Sequence, residues 1–107
     1  MPTKNNNHAF DISMSIEFTN KMIFWRGPSP FYFVPIPAEE SAAIRDISNM
    51  VTYGWGVIPV TVRIGKTSFK TSLFPKDDLY LVPIKAAVRK AEDIDDDAEV
   101  TLQLDIG

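Results

Sequence analysis

The chain has 107 residues, of which 45% are apolar, and a formal net charge of -3, the composition of an ordinary globular domain with one core. Because it contains no cysteine, disulfide frameworks, thiolate nucleophiles and zinc-cysteine sites are excluded. No apolar stretch approaches the roughly 18–20 residues that a membrane-spanning helix needs.

The N-terminal segment is polar and rich in asparagine, and it lacks the charged and apolar regions of a signal peptide. We expect residues 1–8 to form a flexible tail, residues 9–107 to form a single β-barrel domain, and the protein to be cytoplasmic. The lone histidine, His8, falls in that tail. A Ser-His-Asp or Cys-His site is therefore not expected in the folded body, and neither is a histidine-bound metal or any cofactor.

The first half of the chain predicts three strands and a helix. Strict alternation of apolar and polar residues in the stretch FDISMSIEF is typical of a strand with one buried face. Two prolines after the third strand favour a helix start, because proline lacks the amide that the first turn of a helix leaves unbonded. Ile44 and Ile47 should face the core from this helix. The predicted strands are residues 10–18, 21–25 and 31–34, and the predicted helix is residues 38–48.

The second half predicts the same succession with one strand added. A hairpin turn at Gly65 joins two strands, since glycine adopts the positive φ that such turns need. The run IKAAVRKAE has Ile84, Val88 and Ala91 at helical spacing, and an acidic turn at residues 93–97 follows it. The predicted strands are residues 57–64, 67–74, 79–82 and 99–106, and the predicted helix begins after Pro83.

The two halves also share sequence. The stretch FYFVPIPA at residues 31–38 matches LYLVPIKA at residues 79–86 in five of eight positions, and the flanking strands stay in register at the same offset of 48 residues. One such half has too few residues to cover the apolar face of its own sheet, whereas two halves related by a pseudo-twofold axis bury both faces together. We therefore predict that residues 10–46 and 58–94 share one strand order and superpose.

The second half also resembles a known family. The motifs VIPVTVRIGKTSFKTSLFP, YLVPIKAAVRKAE and AEVTLQL are similar to those of the bacterial domain of unknown function 1905, over roughly residues 10–104. The resemblance implies a double-split β-barrel, the architecture of AbrB- and MazE-like transcription factors, built here by one duplicated chain. The predicted fold is mainly β with two short helices, an internal tandem repeat of strand-strand-strand-helix that a final strand completes. No catalytic residue is implied, because the family's function is unknown.

One turn departs from the family pattern. The helix-to-strand turn usually reads Gly-Ile/Leu-x-x-Gly-Asp, whereas this chain has DIDDDA, with Asp93 and Asp97 in place of glycines. Aspartate tolerates a left-handed backbone better than most residues, so we expect the turn to be kept.

A small ligand, if one binds, is expected at the start of the second helix. The first amides after Pro83 lack helical partners and carry partial positive charge. Lys85 lies in that first turn, and Arg89 lies on the same face four residues on. With a hydroxyl from Thr71 or Ser72, these groups would hold an anion such as phosphate or a carboxylate.

The alternative is that this helix face is only solvated, with Arg89 paired to Glu92 at i,i+3. Glu39 and Glu40 likewise suit the first turn of a helix, where acids offset the dipole. The acids of residues 93–99 lack the central glycine and the twelfth-position glutamate of a calcium loop, so no metal site is predicted.

Four aromatic residues allow two interpretations. Trp25, Tyr32, Tyr53 and Trp55 would suit a ligand face, but aromatic side chains in a small barrel more often serve core or rim packing. Trp55, between two glycines in a loop, is the one that we add to the candidate ligand site.

Charge is segregated along the chain. Residues 63–90 hold seven basic and two acidic residues, whereas residues 91–107 hold seven acidic residues and no basic one. Such segregation can mark a binding surface, but the interpretation that we favour is that the two segments pair with each other in the fold.

The sequence alone does not specify a function. We favour a non-enzymatic module, monomeric or homodimeric, that binds a small anion or a protein. A nucleic-acid-binding regulator of AbrB-like architecture is the first alternative, which the overall acidity disfavours because phosphate contacts need clustered lysine and arginine. The second alternative is a small enzyme that uses Ser72 or Thr71 with Lys85.

Overall fold

Seven strands and two helices follow one another in the computed structural model, which describes residues 14–26, 30–50 and 58–106. In chain order they are β1 (Met14–Lys21), β2 (Ile23–Arg26), β3 (Pro30–Pro35), α1 (Ala38–Met50), β4 (Ile58–Ile64), β5 (Thr67–Lys76), β6 (Leu79–Pro83), α2 (Ala86–Ala91) and β7 (Glu99–Ile106). The predicted class, mainly β with two helices, is confirmed. Neither described helix is long and apolar enough to cross a bilayer.

The predicted elements differ from the observed ones mainly at their ends. From the second predicted strand onward, each strand and the first helix begin and end within two residues of the prediction. The first predicted strand, residues 10–18, is described only from Met14, and β1 continues to Lys21. The predicted tail, residues 1–8, lies outside the described residues.

The strands form one antiparallel sheet in the order β1-β7-β4-β5-β6-β3-β2. The long strand β5 joins its two parts, because residues 67–73 pair with β4 and residues 74–76 pair with β6. The sheet curls into a half-barrel around this change of partner.

The core lies on the concave face of this sheet. Alternate residues of β4 and β7 are buried, as the period of two predicts, and they include Val62, Leu102 and Leu104, none of which is exposed to solvent. Each such side chain stabilises the fold by about 1.5–3 kcal/mol. The helices add Ile44 and Val88. Ile47 is half-buried, and Ala91, at the end of α2, is exposed.

The two halves meet symmetrically at one point. Val34 of β3 pairs with Val82 of β6, so the pairing register equals the 48-residue offset of the repeat. The amide of Ile36 donates to the carbonyl of Tyr80 at 2.8 Å, and the amide of Ile84 donates to the carbonyl of Tyr32 at 2.9 Å. Ile36 and Ile84, like Tyr32 and Tyr80, are 48 residues apart, so the repeat relates each of these bonds to the other.

Away from this point the halves differ. β4, β5 and β6 are consecutive neighbours, whereas β1 lies at one end of the sheet order and β2 and β3 lie at the other. The described strands therefore do not share one strand order, and that prediction is wrong for them. The physical reason is that β1 runs on almost directly into β2 and pairs with β7, while β4 turns back at Gly65 to pair with β5.

The acidic turn keeps the expected backbone. Asp93 and Asp97 have φ of 54° and 65°, the left-handed region that glycine occupies at no steric cost. The prediction that aspartate maintains this turn is confirmed. Gly65 has φ of 58°, as predicted for the hairpin.

Candidate functional site

A cavity of about 390 Å³ opens where β3, β5 and the start of α2 meet. Its volume lies in the range of small-molecule sites, about 300–1,000 Å³. We call it the α2 cavity, and its lining residues are Phe31, Tyr32, Thr71, Phe74, Pro83, Ile84, Lys85, Ala86 and Arg89.

Three of the five candidate site residues line this cavity together: Thr71, Lys85 and Arg89. Thr71 lies in β5, whereas Lys85 and Arg89 follow β6, which pairs antiparallel with β5. Ser72 lies on the other face of β5, across from Pro59 in β4, and does not line the cavity. Trp55 lies outside the described residues.

Arg89 is held in place by two contacts. Its Nη1 donates to the carbonyl oxygen of Ile84 at 2.7 Å, and its guanidinium carbon lies 4.0 Å from the centroid of the Tyr32 ring. A guanidinium has five N–H donors, so the bond to Ile84 leaves others for a ligand. A side chain fixed in this way loses little entropy when an anion binds.

The alternative pairing of Arg89 with Glu92 is wrong. Glu92 instead accepts a hydrogen bond of 2.5 Å from the hydroxyl of Thr67 and one of 3.3 Å from the amide of Lys66. It therefore closes the β4–β5 hairpin rather than neutralising the α2 cavity.

Lys85 stands at the mouth of the cavity with an extended backbone, just before α2. Its carbonyl accepts the amides of Val88 and Arg89, each at 3.0 Å, so part of the first turn is already bonded. Because α2 has only six residues, its dipole is small. The positive potential at the cavity comes mainly from the two cationic side chains.

Tyr32 also lines the cavity. Phe24 packs against it with ring centroids 5.0 Å apart, and Arg89 covers its ring. A hydrogen bond to Asp96, loss of hydration and the Asp96 charge raise the pKa of the Tyr32 phenol, while the Arg89 charge opposes the rise. On its far side Tyr32 lines a smaller cavity of about 240 Å³, shared with Met22, Phe24, Asp96 and Asp97.

Sequence reasoning treated Tyr32 as core or rim packing and did not select Phe31 or Phe74. The structure places all three in the cavity lining. The available signal was the strand FYFV, in which two phenylalanines flank the tyrosine, so that at least one large ring must lie outside the core.

The expected pairing of the basic and acidic segments is not found. In residues 63–106, all of which the structure describes, no lysine or arginine of residues 63–90 lies within 4.0 Å of a carboxylate of residues 91–106; the ion pair there joins Lys76 to Asp77 at 3.5 Å. Arg63 bonds to Gln103 instead, and Asp105 accepts from Ser15. Asp105 and Glu92 therefore accept hydrogen bonds from neutral groups. Ion pairs with the acidic segment do not neutralise the basic segment.

The carboxylates of the acidic turn do not converge. Among the residues that the structure describes, no three histidine, cysteine, aspartate or glutamate side chains come close enough to hold a metal ion.

A family model described as a domain of unknown function (DUF1905) matches residues 18–104 of the chain. No curated protein and no solved structure matches the chain.

Proposed function

The chain belongs to the DUF1905 family, whose description assigns no activity, and we propose that it is a module that binds a small anion with an apolar body, such as an aromatic carboxylate or phosphate ester, in the α2 cavity. Binding without chemistry is the function that the residues of this cavity support best.

The observation that carries the proposal is that Lys85 and Arg89 both line a cavity whose other lining residues are mostly apolar. Apolar residues, among them Phe31, Phe74 and Ile84, make up much of the remaining lining. Charge-assisted hydrogen bonds contribute about 1.5–3 kcal/mol each, and buried apolar surface adds about 25 cal/mol per Å². After the costs of association, we expect a Kd on the order of 0.1–1 mM for a carboxylate with one ring.

The first half of the repeat contains the positions that are equivalent to this site. The 48-residue offset places Ser41 at the position of Arg89, and Tyr80 at the position of Tyr32. Ser41 and Arg89 both donate to the carbonyl five residues before them, at 2.9 and 2.7 Å. Ser41 and Tyr80, however, are buried and bonded to each other. The repeated strand-proline-helix unit therefore does not require an open, cation-lined cavity, which supports a functional origin for the one at α2.

The same lining favours binding over catalysis. Thr71 supplies a hydroxyl and Lys85 an amine, but none of the cavity-lining residues that the structure describes is a histidine, aspartate or glutamate. A hydroxyl nucleophile needs an adjacent base to activate it. Ser72, the other hydroxyl considered for an enzyme, lies on the far face of β5.

Amide chemical shifts of labelled protein test the proposal. We expect benzoate to shift the amides of residues 83–89 most, and inorganic phosphate and acetate to shift the same amides at higher concentrations. Lys85→Ala should raise the Kd for benzoate at least fivefold, because it removes a charge at the mouth of the cavity. Lys90→Ala is the matched control, since Lys90 is an exposed cation on the same helix that does not line the cavity.

Two outcomes would contradict the proposal. The largest shifts would lie away from residues 83–89, or Lys85→Ala and Lys90→Ala would weaken binding equally. The second outcome would mean that the anion responds to the overall charge of α2 rather than to the cavity.

We also propose a specific architecture for the half-barrel. A double-split barrel made by an internal repeat is supported by the pairing of Val34 with Val82 and by the exchanged bonds of Ile36 and Ile84. An experimental structure in which β3 and β6 do not pair at Val34 and Val82 would contradict it. A cytoplasmic location is also proposed, and fractionation of cells that express the tagged chain tests it.

A further inference from the structure

The outer face of the sheet changes character from one end to the other. Across β1, β7, β4 and β5, one row of paired residues is polar throughout: Ser15, Asp105, Thr61 and Lys70. At the other end, four large apolar side chains are exposed by 38–50%: Ile23, Trp25, Phe31 and Phe74. We call these four residues the aromatic patch.

The aromatic patch is organised around a buried ring. The ring centroids of Trp25, Phe31 and Phe74 lie 5.9, 6.0 and 5.9 Å from that of Phe33. Phe33 and Leu81 are 2% and 3% exposed, yet neither belongs to the main hydrophobic core. The patch is thus the surface of a separate small cluster, and its rings are already packed into fixed positions.

The size of the patch is that of an interaction surface. An aromatic side chain has about 150–250 Å² to bury, so the four residues together expose roughly 300–400 Å². The largest apolar patch on a soluble protein commonly has about this size, and it is often functional. Because the rings are held by Phe33, a partner loses little side-chain entropy in docking on them.

We propose that the aromatic patch is where a second copy of this chain docks, with the two patches facing each other across a twofold axis. Two patches would bury roughly 600–800 Å² of apolar surface, about half of a standard interface of about 1,600 Å². Apolar atoms make up a little over half of typical interfaces. The remaining area would come from the polar rim.

The charges at the rim also fit a second copy. The ammonium of Lys76 lies 4.9 Å from the centroid of the Trp25 ring and 3.5 Å from the carboxylate of Asp77. A rim that carries both signs is self-complementary across a twofold axis. A nucleic acid, in contrast, requires a rim with a clear excess of positive charge.

Docking of a second copy would also affect the α2 cavity. Phe31 and Phe74 belong both to the aromatic patch and to the lining of the α2 cavity. A second copy on the patch would therefore cover the cavity on the side of these two rings.

Sedimentation velocity of the full chain over about 1–500 µM tests the proposal. We expect a monomer-dimer equilibrium in which Trp25→Ser raises the dissociation constant at least tenfold. Phe24→Ser is the matched control, because Phe24 and Trp25 are neighbours in β2, 47% and 45% exposed, and point to opposite faces. It should change the constant less than threefold. Circular dichroism checks that each variant is folded, and Phe31→Ser replaces Trp25→Ser if that variant is not.

Three results would overturn the proposal. The wild-type chain would remain monomeric throughout, or the dimer would not respond to the patch variants, or Phe24→Ser would dissociate it as strongly as Trp25→Ser. A monomer that binds single-stranded oligouridylate, and loses that binding in Trp25→Ser, would assign the patch to nucleic acid instead.

Discussion

Replacing Ser41 by alanine should destabilise the fold by about 2 kcal/mol. Ser41 is fully buried; its hydroxyl donates to the carbonyl of Ile36 at 2.9 Å and accepts the amide of Tyr80 at 3.1 Å. The substitution removes little volume, but it takes the side-chain partner from a buried carbonyl and a buried amide. Leaving a buried polar group unsatisfied costs about 1–3 kcal/mol. Because the surrounding structure relaxes in part, we expect the combined cost for the Ile36 carbonyl and the Tyr80 amide to lie near the middle of that range.

Urea denaturation at pH 7 measures this loss. A cost of about 2 kcal/mol corresponds to a fall in Tm of roughly 10 °C for a domain of this size. Ser15→Ala is the control, since the Ser15 hydroxyl also makes a hydrogen bond, to Asp105, but in an exposed position. It should cost less than about 0.5 kcal/mol. If Ser41→Ala cost no more than Ser15→Ala, the bond between α1 and β6 would contribute nothing to stability, and the reasoning would be wrong.

Five further predictions concern two turn residues, the Tyr32 phenol, metal ions and duplex DNA. Gly65→Ala should destabilise by roughly 1–2 kcal/mol in the same assay, because its φ of 58° disfavours a side chain, whereas Asp97→Gly should stabilise by up to about 1 kcal/mol. Folding raises the pKa of the Tyr32 phenol above its ordinary 10.0. The stability that the neutral phenol contributes is therefore complete below pH 10 and is lost as the pH rises through the folded-state pKa. Asp96→Asn should lower the pH at which the absorbance of the ionised phenol appears, and an unchanged titration would contradict the bond to Asp96. Calorimetry should detect no tight, stoichiometric binding of calcium or zinc. Duplex DNA should not shift in a gel at micromolar protein and physiological salt, given the net charge of -3.

Local patterns were sufficient to predict the strands and helices. The alternation in residues 99–106 fixes both the strand and its buried face, because any slip of one residue would expose Leu102 and Leu104 to water. The prolines before Ala38 and Ala86 placed both helices correctly. The positive φ of Asp93 and Asp97 could be predicted because the resemblance has glycines there.

The strand order could not be predicted from the same patterns. β1 and β4 look alike in their alternation. The glycine at position 65 predicted that β4 turns back to pair with β5, but nothing local indicates that β1 pairs with β7. Pairing partners depend on contacts between residues that are distant in the chain, which the 48-residue register does not encode. The local symmetry at Val34 and Val82 was predictable because it rests on five identical residues.

The candidate site was predicted in part for a similar reason. Lys85 and Arg89 lie four residues apart, and helical spacing predicted that they are neighbours. They do line one cavity, although Lys85 has an extended backbone just before α2. Tyr32 and Phe74 reach the cavity only because β3 and β5 flank β6, and a reading of the sequence segment by segment does not bring them together. The partner of Glu92 depends on the same long-range packing.

Nuclear Overhauser effects between bound benzoate and the methyl groups of the protein test the central claim most directly. Binding in the α2 cavity predicts contacts from the benzoate ring to the methyls of Thr71, Ile84 and Ala86, which line it. No contact is expected to Leu104 or Ile106, which are buried core residues of β7. Contacts to other methyl groups in place of the three, or their persistence at equal strength in Lys85→Ala, would contradict the account.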